Sequence, residues 1–185
     1  ITMNGTKYVN FEDLSFGYTR ANFINATNVS NITIDGCEFA HNSSTAIELN
    51  GTDCVIKNCH IYDLGGAAGK GAITLSGGDR VKLISSGNKI LNNRMHLGDR
   101  VYQVGQSPLI MVTGGVGHTI ENNEIYNGSA YVARFVAAND IQFNYNEVYD
   151  AVLQSSDAGA VTWGRDMSLM GYELKYNYFH NMGNP

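Results

Sequence analysis

Ile120-Glu121-Asn122-Asn123-Glu124-Ile125 is followed by Phe143-Asn144-Tyr145-Asn146-Glu147-Val148, the same apolar-x-x-Asn-x-apolar frame 23 residues on. The frame recurs as Ile90-x-x-Asn93-x-Met95 and Leu174-x-x-Asn177-x-Phe179. Cys takes the Asn position in Ile34-x-x-Cys37-x-Phe39 and Ile56-x-x-Cys59-x-Ile61, and a degenerate copy stands at Phe11-x-x-Leu14-x-Phe16. Successive copies start 23, 22, 34, 30, 23 and 31 residues apart, so the unit is 22–23 residues and the longer steps carry inserted loops. A unit that short has no core of its own and must stack on its neighbours.

Within each copy β-branched and aromatic residues alternate, punctuated by Gly or Asn, which is the pattern of short strands and not of helices. The Leu-x-x-Leu-x-Leu frame of a leucine-rich repeat is missing. The expectation is an all-β, right-handed parallel β-helix of about seven coils, one domain over residues 1–185, with coils ~4.8 Å apart. Asn93, Asn123, Asn146 and Asn177 then stack as a ladder in one bend, their amides bonded to each other, with Asn taking the left-handed conformation the bend requires. Cys37 and Cys59 are the earlier rungs, stacked thiols at a spacing that also admits a disulfide. No cap is visible after Asn177, so the chain reads as a segment of a longer protein.

A second strand follows most copies: Ala46-Ile47-Glu48-Leu49, Ala72-Ile73-Thr74-Leu75, Leu109-Ile110-Met111-Val112, Val132-Ala133-Arg134-Phe135 and Ala160-Val161-Thr162-Trp163. Period-2 alternation points Ile47, Ile73, Ile110, Ala133 and Val161 inward and Glu48, Thr74, Met111, Arg134 and Thr162 outward. Trp163 shares the parity of Val161, which predicts core packing, with sugar stacking as the alternative. In the first strand the outward column is Glu38, His60, Arg94, Glu124, Glu147 and Tyr178.

The chain has 21 Gly and 21 Asn in 185 residues, a turn-rich composition, and a net charge of −5 at pH 7. That charge lacks the basic footprint of nucleic-acid binding. The longest aliphatic run, Leu109–Val112, is far short of the ~20 residues of a membrane-spanning helix. The 3 cysteines are spaced unlike zinc ligands, so no metal and no cofactor is called for. Asn-x-Ser/Thr sequons begin at Asn4, Asn25, Asn28, Asn31, Asn42, Asn50 and Asn127, an excess that reads as a secreted or extracellular protein and, in a eukaryote, as sites for glycans.

Insertions in a solenoid build its binding surface. Residues 63–71, 96–107 and 151–158 leave neighbouring coils between the same two strands and are expected to line one groove. The segment 96–107 supplies Arg100 and Tyr102 as binding candidates. The sharpest local feature is Asp157-Ala158-Gly159-Ala160-Val161-Thr162-Trp163-Gly164-Arg165-Asp166 followed by Tyr176-Asn177-Tyr178-Phe179-His180. Over residues 85–185 this resembles glycoside hydrolase family 141 and its relatives, secreted β-helix proteins, though Ser156 stands where relatives often carry a second acid. The resemblance implies hydrolysis of glycosidic bonds in complex polysaccharides, with Asp157, Arg165 and Asp166 at the site.

Glycoside hydrolysis asks for two carboxyls ~5 Å apart if retaining or ~6.5–9.5 Å if inverting. Asp157 and Asp166 pair only if the chain turns back between them. Glu124 and Glu147 occupy equivalent outward positions on adjacent coils, ~5 Å apart. The catalytic candidates are therefore Asp157, Asp166 and Glu147, with Arg165, Arg134, Arg100, Tyr102 and Trp163 as substrate-binding candidates and a polysaccharide or glycan as partner. Arg165 and Asp166 could alternatively form a surface ion pair, and His60, His96 and His180 read as scattered surface residues. Two rivals share the fold: a polysaccharide lyase or epimerase using Arg100, Arg134 or Arg165 to neutralise a uronate, and a non-catalytic adhesive rod.

Overall fold

The computed structural model of the protein describes residues 1–101, 107–154 and 159–183, and no α-helix occurs among them. Short strands pair in parallel with the equivalent strand of the next copy, so the chain climbs as a parallel β-helix with three faces. A 12-stranded sheet supplies two of them because it folds along the long strand Ile24–Asp35. The first half of that strand begins the first face, which continues through Ile47–Thr52, Ile73–Gly77, Ile110–Val116, Ala133–Asn139 and Val161–Trp163. Its second half begins the second face, which continues through Val55–Lys57, Lys89–Leu91, Thr119–Glu121 and Gln142–Asn144. A 7-stranded sheet forms the third face: Ser15–Gly17, Glu38–Ala40, His60–Tyr62, Arg94–His96, Glu124–Gly128, Glu147–Ala151 and Tyr178–Met182.

The predicted inward columns are buried up to Ala133, but Thr74 and Met111, predicted outward, are buried too, at 4 % and 5 % exposed. Over Thr74 lies the inserted loop, whose Gly71 N–H donates to Thr74 Oγ1. Ile34, Ile56, Ile90, Ile120 and Phe143 pair in register as one fully buried column, and Ile47, Ile73, Ile110 and Ala133 form another. Each such side chain contributes about 1.5–3 kcal/mol over leaving it exposed. Stacking identical parities is what gives a 22-residue unit a continuous core. Among the described residues no helix is long and apolar enough to cross a membrane.

The ladder stands at the bend from the second to the third face. Asn93 Nδ2 donates to Asn123 Oδ1 at 3.0 Å, Asn123 to Asn146 at 2.9 Å, and Asn146 to Asn177 at 3.1 Å. Each Oδ1 also accepts the backbone N–H of the rung below, and each Nδ2 also reaches a carbonyl of the coil below, such as Ile90 O from Asn123 at 3.1 Å. The rungs themselves do not take the left-handed conformation expected of them. The left-handed residue is the one before each rung: Asn92 at φ 54°, Asn122 at 56°, Tyr145 at 56° and Tyr176 at 58°. The rung is spared because its amide must point inward along the stack. Cys37 and Cys59 are buried free thiols and not a disulfide; Cys59 Sγ lies 3.7 Å from Ile34 O, a weak version of the Asn rung.

The 34-residue step from Ile56 to Ile90 holds two insertions, not one. Besides residues 63–72, a second loop at 78–88 leaves the bend between the first and second faces.

Candidate functional site

Parallel in-register pairing sets equivalent side chains ~4.8 Å apart, the separation at which flat rings stack. The third face uses this in two outward columns. One is Glu38, His60, Arg94, Glu124, Glu147 and Tyr178, each the register partner of the next, as the alternation predicted. The other, two residues along each strand, is Ala40, Tyr62, His96, Tyr126, Tyr149 and His180. From Tyr62 to His180 its rings form one stack, with successive centroids 5.3, 4.6, 4.8 and 5.0 Å apart and planes within 8°, 11°, 4° and 11°.

The two columns are cross-linked. Tyr62 Oη–H donates to Glu38 Oε1 and Tyr149 Oη–H to Glu124 Oε1, both at 2.6 Å. His180 Nε2 lies 3.1 Å from Glu147 Oε1, and His60 Nε2 lies 3.1 Å from His96 Nε2. Arg94 Nε reaches Glu124 Oε2 at 3.1 Å while its guanidinium lies over Tyr126. Burial and the Glu124 carboxylate push the Tyr149 phenol up to about 12. Because the ladder rings cover each other's faces, a ligand lying on this strip meets ring edges, phenol oxygens, imidazoles and carboxylates. The groups this strip offers are therefore hydrogen-bonding groups and not open ring faces.

His60, His96 and His180 are therefore not scattered but share one face. The signal was in the sequence: the ring column is the residue directly after the last apolar position of each repeat frame. Insertions of unequal length hid it.

At the edge between the third and first faces the inserted loops stack as extra coil. Arg100 N–H and Val101 N–H bond Leu64 O and Gly65 O, and Ser107 Oγ bonds Lys70 O. Gly65 passes so close to Ser43 that a Cβ there would stand 2.6 Å from its backbone carbonyl, which is why this position takes glycine. The described parts of the loops thus share one edge, as expected. Arg100 Nε is 2.5 Å from Asp63 Oδ1, and His41 Nδ1 is 2.5 Å from Asp63 Oδ2. Asp99, which sequence reasoning passed over, is 4 % exposed, accepts hydrogen bonds from Ser129 N–H and Oγ–H, and has its carboxyl pushed up by burial. Arg134 stands outward between Met111 and Thr162, half-buried over the Tyr131 ring. Tyr102 and Asp157 lie outside the described residues.

The remaining candidates sit elsewhere. Asp166 follows the first face and meets the unforeseen loop 78–88. Arg80 Nη2 is 2.9 Å from Asp166 Oδ2, while Ser168 Oγ–H donates to Oδ1 at 2.6 Å. Ser168 and Arg80 hold the Asp166 carboxyl down at about 2, the state of a carboxylate and not of a proton donor. Its ion-pair partner is Arg80, not Arg165. Trp163 also departs from expectation: its register partner Phe135 is fully buried, but Trp163 is 55 % exposed. Val161–Trp163 is the outermost strand of its face, and the Tyr172 ring, 5.8 Å away, covers part of the indole. Trp163, Arg165, Asp166 and Tyr172 line a shallow pocket. Glu147 is on the third face, so Asp166 and Glu147 do not meet across one groove.

Among the sequons, Asn4 and Asn28 are exposed and Asn25, Asn31, Asn50 and Asn127 half-buried. Asn42 is 2 % exposed and its Nδ2 donates to Thr45 O at 2.8 Å, so it is no glycan acceptor in the folded chain.

Comparison with known proteins agrees with this geometry at the level of fold. Two solved structures are similar: full-length tailspike protein 2 from an Escherichia coli O157:H7 bacteriophage, with a TM-score of 0.61, and the enzymatically active domain of bacteriophage CBA120 tailspike protein 2, at 0.59. Each is 14% identical over 98% of this chain, which spans 21% and 24% of their respective lengths. No curated protein matches. The family model described as "Right handed beta helix region" matches residues 1–181, and the chain belongs to that family.

Proposed function

We propose that this is an extracellular carbohydrate-active β-helix that holds an extended polysaccharide along the third face and hydrolyses a glycosidic bond there. One observation carries the reading: the five-ring stack from Tyr62 to His180, tied to Glu38, Glu124 and Glu147 of the neighbouring mixed column, runs unbroken across successive coils. A repeating polar strip suits a repeating polyhydroxylated polymer. One of the two similar tailspike structures is an enzymatically active domain, which supports an activity on this fold, and residues 157–180 resemble glycoside hydrolase family 141, which supports its class.

In this reading Glu124 and Glu147 are the working pair. They are register partners, so their strands are ~4.8 Å apart, near the ~5 Å carboxyl separation of a retaining enzyme. Glu124, oriented by Arg94 and Tyr149, is the nucleophile; Glu147, more exposed and held by His180, is the acid/base. Asp157, Asp166 and Arg165 form the competing assignment through the family likeness, with Arg134, Arg100, Tyr102 and Trp163 as flanking contacts.

A panel of polysaccharides assayed for released reducing ends tests this. Loss of turnover in Glu124→Gln and Glu147→Gln, with Asp166→Asn active, assigns the chemistry to the third face; the reverse moves it to the Trp163 pocket. The register pairing of His60 with Arg94 favours a lyase as the second reading, since a base beside a cation is what uronate elimination needs. Its product would be unsaturated and absorb in the ultraviolet. No turnover on any glycan by the folded chain overturns both and leaves the adhesive rod.

A further inference from the structure

His60 and His96 aim their Nε2 atoms at one another at 3.1 Å. Their rings are held in place by aromatic neighbours: His60 lies on Tyr62 at 4.3 Å, and His96 lies between Tyr62 at 5.3 Å and Tyr126 at 4.6 Å. With one proton between them the two nitrogens share a hydrogen bond. With none, two lone pairs converge on one point. A tetrahedral ion with metal–nitrogen bonds of ~2.0–2.1 Å needs its nitrogens ~3.3–3.4 Å apart, so the pair has only a few tenths of an ångström to open.

We propose that His60 and His96 form a two-imidazole binding site for a borderline divalent transition-metal ion, Zn²⁺, Ni²⁺ or Cu²⁺, on the outer surface of the third face. Imidazole is the ligand these ions prefer, and the stacked rings arrive already oriented. Charges of both signs surround the pair: Arg94 acts against a cation on both rings, while Glu38 and Glu124 act in its favour on His60 and Glu124 and Asp63 on His96. Arg94 is itself paired with Glu124 and turned over Tyr126. Among the described residues no three His, Cys, Asp or Glu side chains converge on a metal position, so water completes the shell. His96 Nδ1 has no hydrogen-bond partner to orient it, which holds the affinity well below that of a structural zinc centre.

The test is independent of any carbohydrate activity. The tag-free chain is titrated with Zn²⁺, Ni²⁺ and Cu²⁺ separately by calorimetry at pH 7.5, with one ion per chain expected and Cu²⁺ bound most tightly. His60→Gln and His96→Gln should each weaken binding by on the order of tenfold or more. His180→Gln, which alters a third imidazole on the same face, should leave binding unchanged. The Cu²⁺ electron paramagnetic spectrum of the unaltered chain should show two nitrogen ligands, a readout that holds even if a variant misfolds. No saturable binding up to millimolar metal, a spectrum with fewer than two nitrogens, or wild-type affinity in either folded variant overturns the site.

Discussion

Asn123→Ala removes the central rung of the ladder, and the hydrogen bonds around it show what is stranded. The side chain makes five hydrogen bonds: Nδ2 donates to Ile90 O, Glu121 O and Asn146 Oδ1, and Oδ1 accepts from Asn93 N and Asn93 Nδ2. Four of the five partners have other bonds to fall back on. Asn93 Nδ2 still reaches Ile56 O, Asn146 Oδ1 still accepts Asn123 N–H, Glu121 O still accepts Asn92 N–H, and the Ile90 carbonyl stays in the parallel ladder with Thr119–Glu121. The Asn93 N–H loses its acceptor inside a wall where Asn93 is 2 % exposed. A buried group left unpaired costs about 1–3 kcal/mol, so the substitution should cost about 1–3 kcal/mol, a sizeable share of a typical domain's stability. Asn177→Ala breaks the same kinds of bond where Asn177 is only half-buried, and water can replace them, so about 1 kcal/mol is expected there. Asn123→Cys imitates the natural Cys59 rung, which keeps a weak donor but offers no good acceptor, and should fall between native and Ala. Urea unfolding followed by far-ultraviolet circular dichroism measures all three, with hydrogen exchange at Asn93 N–H as the local readout. If Asn123→Ala costs less than about 1 kcal/mol, or no more than Asn177→Ala, the ladder does not hold this bend as the hydrogen-bond accounting requires.

Three further outcomes rest on buried or clamped groups. His118 is fully buried and burial lowers its imidazole to about 4, so below 6.5 the unfolded chain binds a proton that the folded chain refuses. Stability should therefore fall as pH drops from 6.5 to 4, by about 3 kcal/mol in total from this residue, and His118→Gln should lose that slope in pH-dependent urea melts. Cys37, Cys54 and Cys59 are buried free thiols, with Cys59 pushed up to about 12 by burial; a disulfide-exchange reagent at pH 8 should find none of the 3 in the native chain and all of them in denaturant. Asp166 is held at about 2 against an ordinary 3.8, so its contribution is complete above 3.8 and lost as pH falls towards 2; Asp166→Asn should lower stability at neutral pH and flatten that acid limb of the stability curve.

The repeat frame determined most of the architecture before any coordinates. A unit of 22–23 residues with alternating parity must stack, and stacking in register brings equal positions together, so the buried columns, the Asn rungs and the outward order from Glu38 to Tyr178 could all be read from spacing alone. The ring column was equally readable once residues were counted from the frame and not along the chain. Tertiary structure decided whatever depends on a partner from a different part of the coil. Arg80 reaches Asp166 across 86 residues because loop 78–88 and the segment after Trp163 leave the same bend, and no period links them. Trp163 has an inward parity but lies uncovered because its strand is outermost, and alternation says which side a residue faces, not what covers it. The facing Nε2 atoms of His60 and His96 belong to different columns on adjacent coils, a diagonal contact set by ring orientation within the stack. Periodicity specifies the lattice of positions; side-chain rotamers and inserted loops decide which of its neighbours touch.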